Sequence, residues 1–253
     1  MRFALLGSGS RGNGMVVEIG TTLLLVDCGL SVLQVRRRLA GLGKRPEDLT
    51  AILVTHEHSD HVSGVAGLAR NYDLPVWTTA GTARAADLTD SADCILFDCH
   101  ETFEVADAEV MPYPVPHDAR EPSQFVFGDG THRLGVLTDV GSPTPHIVEC
   151  LDGCDALVLE CNHDKAMLAA GNYPPSLKQR VGGRHGHLSN DQAAELLGSL
   201  DGTRLQHVVA AHLSEKNNQP HLARQALADA LGCEPEWIAV ADQDQGLAWR
   251  EVV

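Results

Sequence analysis

In the seven residues Thr55 to His61, THEHSDH, an apolar run ends and His56, His58, Asp60 and His61 follow in quick succession. Imidazole nitrogens and carboxylate oxygens are the donors that borderline divalent ions such as zinc favour, and a loop at a strand end lets such side chains converge. In extended chain His56 and His58 point to one side by the two-residue period, and a tightening at Asp60 and His61 aims a second pair elsewhere. The spacing suggests two ions a few ångströms apart, a pairing suited to hydrolysis.

A second stretch, LKQRVGGRHGHLSN at 177–190, is a local reversal of charge. Between Lys165 and Asn190 the chain carries Lys165, Lys178, Arg180 and Arg184 and no Asp or Glu, although 19 basic and 34 acidic residues give the whole a formal charge of −15. Such a segment suits an anionic ligand or a solvated loop. The acidic total disfavours broad adhesion to nucleic acid, but bound cations and one basic lip can set the field at a single site.

The elements that must hold these residues are those of an ordinary globular protein. The 253 residues, 43% of them apolar, suffice for one domain with a full core, expected to span 1–253. The start, MRFALLGSGSRGN, has only a short apolar run, and no run approaches the ~18 apolar residues of a membrane helix, so a cytosolic protein with no membrane partner is expected. Seven cysteines with no CxxC pair read as reduced, mostly buried small side chains. Strand-like runs (FALLG, MVVEI, TLLLVDCG) lead to a helix from about Ser31 to Leu42 and the strand AILVT at 51–55. Helix and strand then alternate to about residue 98, short strands with polar punctuation run from Glu101 to Leu137, and alternation returns. ALVLE and HVVAAH read as strands, SNDQAAELLGSL as a helix capped by Ser189 or Asn190, PHLARQALADALG as a helix, and WIAVADQDQGLAWR as a strand hairpin. No linker or repeat divides the chain.

HxHxDH after a strand resembles the signature of the metallo-β-lactamase fold, an α/β, four-layer αβ/βα sandwich. The resemblance implies further ligands in order: His117 in PVPHDAREP, Asp139 in GVLTDVG and His212 in VVAAHLSEKNN. It places one ion on His56, His58, His117 and Asp139 and the other on Asp60, His61, Asp139 and His212. Both are divalent, zinc or manganese, about 3.5 Å apart and sharing a hydroxide. Asp139, where zinc β-lactamases carry Cys, and His58, where flavodiiron proteins carry Glu, point away from both groups. The remaining histidines (100, 132, 146, 163, 185, 207 and 221) are expected to be structural or exposed.

Four ordered stretches narrow the resemblance: GSGSRGN at 7–13, PHDAREP at 116–122, GHLSNDQAA at 186–194 and HLSEKNN at 212–218. Together they resemble the WalJ/YycJ-like branch, relatives of tRNase Z. That implies a nuclease, with 5′-to-3′ exonuclease action and DNA expected ahead of RNA as substrate. A small-molecule hydrolase, a cyclic-phosphate diesterase or a glyoxalase II-like thioesterase, shares the ligand set and stays open. By the same resemblance His187 is the proton donor to the leaving oxygen, steadied by Glu160. Arg180 or Arg184 is expected on a flanking phosphate, with His185 a weaker candidate, and Asn13 with the glycine-rich backbone amides in the substrate cleft. Asp60 either ligates or orients the hydroxide.

Overall fold

The computed structural model describes residues 1–89 and 93–253. Its layering follows from strands that are apolar on both faces. In β1 (Arg2–Gly7) Phe3 and Leu5 face one way and Ala4 and Leu6 the other; β2 (Gly14–Ile19) sets Met15 and Val17 against Val16; β3 (Thr22–Val26) sets Leu24 and Val26 against Leu23 and Leu25. A strand of this kind must be covered on both sides. One side meets a second sheet and the other meets helices.

The first sheet continues through β4 (Ala51–Leu53), β5 (Val76–Thr78) and β6 (Cys94–Leu96), each parallel to its predecessor. The second comprises β7 (Phe103–Val105), β8 (Ala108–Pro114), β9 (Ser123–Gly128), β10 (Arg133–Leu137), β11 (Ala156–Glu160), β12 (His207–Ala211) and β13 (Ala239–Val240), while β14 (Leu247–Glu251) returns to pair with β1. The strand orders are β14-β1-β2-β3-β4-β5-β6 and β13-β12-β11-β10-β9-β8-β7. Each sheet thus has an antiparallel half and a parallel half. Phe125, Phe127, Val136, Val158 and Val209 meet Phe3, Val17 and Leu24 in the central core between the sheets. Each such side chain contributes roughly 1.5–3 kcal/mol on burial.

Helices lie in the crossovers. The first sheet has α1 (Val32–Gly41), the one-turn α2 (Ser59–Val62), α3 (Val65–Tyr72) and α4 (Ala80–Ala85); Val35, Leu39, Val65 and Leu68 of α1 and α3 cover its outer face. The second has α5 (Pro145–Leu151), α6 (Lys165–Ala170), α7 (Pro175–Val181), α8 (Asn190–Gly198) and α9 (Pro220–Leu231), with Ile147, Leu196 and Leu227 covering its outer face from α5, α8 and α9. Helix, sheet, sheet and helix make the four layers expected.

Two local expectations are refined and one is corrected. Ser31 caps α1 in a capping box with Gln34, and Ser189, not Asn190, caps α8 through the amide of Gln192. WIAVADQDQGLAWR is not a hairpin, because β13 pairs with β12 in the second sheet and β14 with β1 in the first; only a bridge between Asp242 and Gly246 links the arms. Strand pattern along the chain says nothing about which sheet a strand joins. The short helices α5, α6 and α7 were not foreseen, since each is too brief to show a helical period.

Candidate active site

The parallel halves bring five strand ends to one edge of the sandwich, the place where α/β sheets hold ligands. β3 leads into Asp27, β4 into His56, β10 into Asp139, β11 ends in Glu160 and β12 leads into His212. The register is explicit: Leu137 lies beside Leu159, and Glu160 beside Ala211. His117 arrives from the loop after β8, and α2 supplies the tightening that turns Asp60 and His61 away from His56 and His58. Asp27, Asp139 and His212, where these side chains converge, all have left-handed backbone (φ 57°, 53° and 54°).

The expected metal ligands form overlapping sets of donors. In His56, His58 and His117, in His56, His61 and Asp139, and in Asp60, His61 and His212, the candidate ligand atoms lie within 4.8 Å of one another. His58 Nδ1 is 3.0 Å from His56 Nε2 and 3.2 Å from His117 Nε2. Asp139 reaches toward both groups: Oδ1 is 4.0 Å from His56 Nε2 and 3.9 Å from His117 Nε2, and Oδ2 is 3.2 Å from His61 Nε2. Asp60 Oδ2 is 3.6 Å from His61 Nε2 and 3.7 Å from His212 Nε2.

These residues fit divalent cations. Asp139 is 2% exposed, and its Oδ2 has no hydrogen-bond partner despite the nearby imidazole. A buried carboxylate oxygen left this way is costly unless something cationic meets it. The histidine orientations agree. His117 Nδ1 donates to the Gly186 carbonyl (2.9 Å), which leaves Nε2 as a lone pair aimed at the cluster. His56 Nδ1 lies 2.9 Å from Thr55 Oγ1, which donates to Asp27 Oδ2 (2.8 Å), and the same Oδ2 accepts from His61 Nδ1 (2.7 Å). One carboxylate therefore orients two of the histidines.

Asp27 was not foreseen, although an acid closing the buried run TLLLV was the available signal. Burial chiefly, with the neighbouring imidazole of His61, holds the His56 pKa well below the ordinary value.

Glu160 is fully buried and accepts four hydrogen bonds. Oε2 takes the amides of Val140 and Leu188 (3.0 Å each), and Oε1 takes Nδ1 of His187 (2.8 Å) and of His212 (2.9 Å). Burial works to raise its pKa, but His187 and His212 outweigh this and bring it down to about 2. For His187, burial lowers the pKa and the Glu160 carboxylate more than restores it, for a net rise. His187 stays 22% exposed on the wall of a cleft of about 320 Å³ that His58, Asp60, Asp139 and His212 also line. With Nδ1 held, Nε2 is the nitrogen available to that cleft.

Three expectations are revised. Asn13 does not reach into the cleft: it is buried, its Nδ2 lying 3.3 Å from Asp60 Oδ2 and 3.1 Å from His61 Nε2, while its Oδ1 accepts the Gly9 amide. The glycine-rich loop folds on itself for this purpose. Gly12 has φ 138°, and a Cβ there would sit 2.5 Å from the Gly29 carbonyl oxygen. Ser8 Oγ accepts the amide of His212 (2.7 Å), so the loop braces the cluster, and Ser10 is its contribution to the cleft wall. Arg180 lines the cleft, with Nε on Asp118 Oδ2 at 2.6 Å; Arg184 is exposed outside it, and its backbone packs on Gly141 and Ser142. His185 is exposed as well, and its carbonyl accepts the Asp118 amide. Asn190 and Asn218, one from each of the two late stretches, are structural and exchange amide hydrogen bonds (2.8 and 2.9 Å).

A family model described as a beta-lactamase superfamily domain matches residues 22–212, a span that opens on β3 and closes on His212. The chain belongs to the metallo-β-lactamase superfamily. Within it, this member is 35% identical over 236 residues to the exodeoxyribonuclease WalJ of Streptococcus pneumoniae serotype 2 (strain D39), covering 91% of this chain and 88% of that one. It is 36% identical over 241 residues to the exodeoxyribonuclease YycJ of Bacillus anthracis, covering 91% and 89%. The crystal structure of the metallo-β-lactamase fold protein YhfI from Bacillus subtilis superposes with a TM-score of 0.75 over 99% of both chains at 18% identity, a likeness of fold. The His/Asp cluster of this superfamily member is a site for divalent metal. Among the described residues no helix is long and apolar enough to cross a membrane.

Proposed function

We propose that this metallohydrolase, acting as one domain over residues 1–253, cleaves phosphodiester bonds of nucleic acid. DNA is taken in preference to RNA, and nucleotides are released in the 5′-to-3′ direction. The observation that carries phosphodiester chemistry is His187, anchored by Glu160 on the cleft wall beside the His/Asp cluster. An alkoxide leaving group has the basicity of an alcohol, near the ~15.7 of water, and needs a proton. A thiolate, with a pKa of ~8.5, leaves without one. A held imidazole whose cationic form is favoured by Glu160 is therefore more useful to a phosphodiesterase than to a thioesterase. Kinship with two exodeoxyribonucleases along nine-tenths of the chain supports DNA as the substrate.

His56, His58, His117 and Asp139 would hold one ion, zinc or manganese, and Asp60, His61, His212 and Asp139 a second. When bound, such ions supply a nucleophile at neutral pH and neutralise the non-bridging phosphate oxygens. The protein's own groups do the rest. Glu160 keeps the proton of His187 on Nδ1 and favours the cationic ring, so Nε2–H points to the departing oxygen. Arg180 is held by Asp118 at the cleft and exchanges that partner for a phosphate beside the scissile one. Asn13 steadies Asp60 and His61 from the glycine-rich loop.

The test is incubation of metal-reconstituted protein with 5′- and 3′-labelled single- and double-stranded DNA and RNA, beside an Asp139→Ala control and a thioester substrate. Stepwise shortening of DNA from the 5′ end, absent in the control, is expected. Turnover of the thioester with no cutting of any oligonucleotide would refute the proposal.

A further inference from the structure

Away from the cleft, the described residues hold one further set of metal donors. One ligand atom each from Asp98, Cys99 and His100 lies within 4.8 Å of the other two. The three follow β6, which runs parallel to β5 and β4 and so ends at the same edge of the sandwich. β6 is two strands beyond β4, and at ~4.8 Å per strand the trio sits about 10 Å along the sheet from the end of β4. None of the three lines the cleft. In extended chain Cys99 would point away from both neighbours. A turn alters this: the Glu101 amide donates to the Asp98 carbonyl (3.1 Å) and the His100 amide to Asp98 Oδ1 (2.9 Å), which leaves Oδ2 for another partner.

A fourth donor comes from a distant element. The His100 ring forms no hydrogen bond among the described residues and turns toward the ring of His146 in the first turn of α5, 6.4 Å between centres. The imidazole pairs assigned above to a common ion, His56–His58, His56–His117, His58–His117 and His61–His212, lie 4.6–5.8 Å apart. Both His100 and His146 are exposed, and a small side-chain rotation brings them to that spacing. One thiol, two imidazoles and a carboxylate make a full tetrahedral set for zinc. Burial first, and then the carboxylates of Asp98 and Glu121, push the Cys99 thiol up, so it holds its proton until a cation displaces it. The negative field that disfavours a bare thiolate is the field that attracts a dication.

We propose that Asp98, Cys99, His100 and His146 form a further metal site, separate from the His/Asp cluster, which binds one zinc ion and ties the β6–β7 connection to α5. That connection carries the chain from the first sheet to the second, and α5 covers the outer face of the second, so the ion is a cross-link between parts far apart in sequence. The cluster in the cleft offers only nitrogen and oxygen, which suit zinc or manganese. A thiolate is soft and selects zinc, so the two sites answer differently to the choice of metal.

The test loads metal-stripped full-length protein with zinc or with cobalt(II) and compares wild type, Cys99→Ser, His146→Ala and Asp139→Ala. Cys99→Ser should retain one zinc ion fewer than wild type by elemental analysis and hydrolyse at the wild-type rate, since no residue of the site lines the cleft. Cobalt-loaded wild type should show the near-ultraviolet charge-transfer band of a cobalt–thiolate bond. Cys99→Ser should lose that band, and Asp139→Ala should keep it, because the cluster disrupted there contains no sulfur. His146→Ala should keep the band but give up this zinc to a weaker chelator. Saturating zinc should raise the Tm of wild type more than that of Cys99→Ser, by mass action. An equal zinc count in wild type and Cys99→Ser, or a thiolate band that survives that substitution, overturns the site, as does a His146→Ala variant that holds zinc as tightly as wild type. Should Asp139→Ala fail to fold, the wild type and Cys99→Ser pair, which differ by one sulfur for oxygen exchange, decides.

Discussion

Replacing Asp27 by Asn should weaken metal binding without touching a single ligand. Asp27 is 3% exposed and accepts three hydrogen bonds: the Thr55 amide and hydroxyl at 2.8 Å each, and His61 Nδ1–H at 2.7 Å. The hydroxyl in turn fixes Nδ1 of His56. Each imidazole is thereby kept in the tautomer whose Nε2 lone pair is free. In Asp27→Asn the oxygen can still take the Thr55 amide, but the new NH₂ group faces His61 Nδ1–H, donor against donor. The His61 proton then moves to Nε2, where it blocks the ligand position. Loss of such supporting partners costs about 10- to 100-fold in metal affinity, and control of two histidines argues for the upper half of that range. Asp27→Ala is less informative: three buried donors left bare at roughly 1–3 kcal/mol each would consume much of a typical stability of ~5–15 kcal/mol. The assay is competition of the Asn variant with a chelator, beside a thermal melt to confirm folding. A folded variant with wild-type metal affinity refutes the role assigned to Asp27.

Further expectations concern neighbouring groups. Asp139→Ala should lose metal and hydrolysis together, because the shared carboxylate serves both donor sets; metal content by elemental analysis checks it. His187→Ala should keep its metal and lose about 10²- to 10⁴-fold in kcat, the usual contribution of a general acid, and metal loss there would mark His187 as a ligand instead. Glu160→Gln should move the alkaline limb of the kcat profile to lower pH, since the group raising the His187 pKa is gone and the ring loses its proton sooner. Metal affinity should fall as pH falls. For His212 burial lowers the pKa, but Asp139, Asp60 and Glu160 raise it to about 10, so below that pH an incoming ion must displace a proton, at up to ~tenfold per pH unit. Chelator titrations that are flat with pH would contradict this. Arg180→Ala should weaken DNA binding for all sequences and reduce the log–log salt slope by about 1, the signature of one lost phosphate contact.

Part of the site was legible along the chain, where an apolar run stops at a polar residue: LVT before His56 and the donors that follow it. His117, Asp139 and His212, the last two after the runs GVLT and VVAA, were legible through resemblance, as were Glu160 and His187, and Asp118 was not legible at all. Asn13 was misplaced, because a glycine-rich loop that could wrap a phosphate and one that wraps its own asparagine look alike in sequence. Arg180 and Arg184, four residues apart, could not be separated until α7 turned one to the cleft and the loop after it left the other outside.

Residue pattern along the chain carries the layered α/β architecture, through strands apolar on both faces, and the donors of THEHSDH, through residue type. Folding in three dimensions sets which donors lie together, that Asp27 and Glu160 hold the imidazoles, and that Arg180 lines the cleft beside them. Those are relations between strands far apart in sequence. They depend on sheet order and register, which place Glu160 beside Ala211 and so next to His212, and no local pattern of residues encodes such a distance.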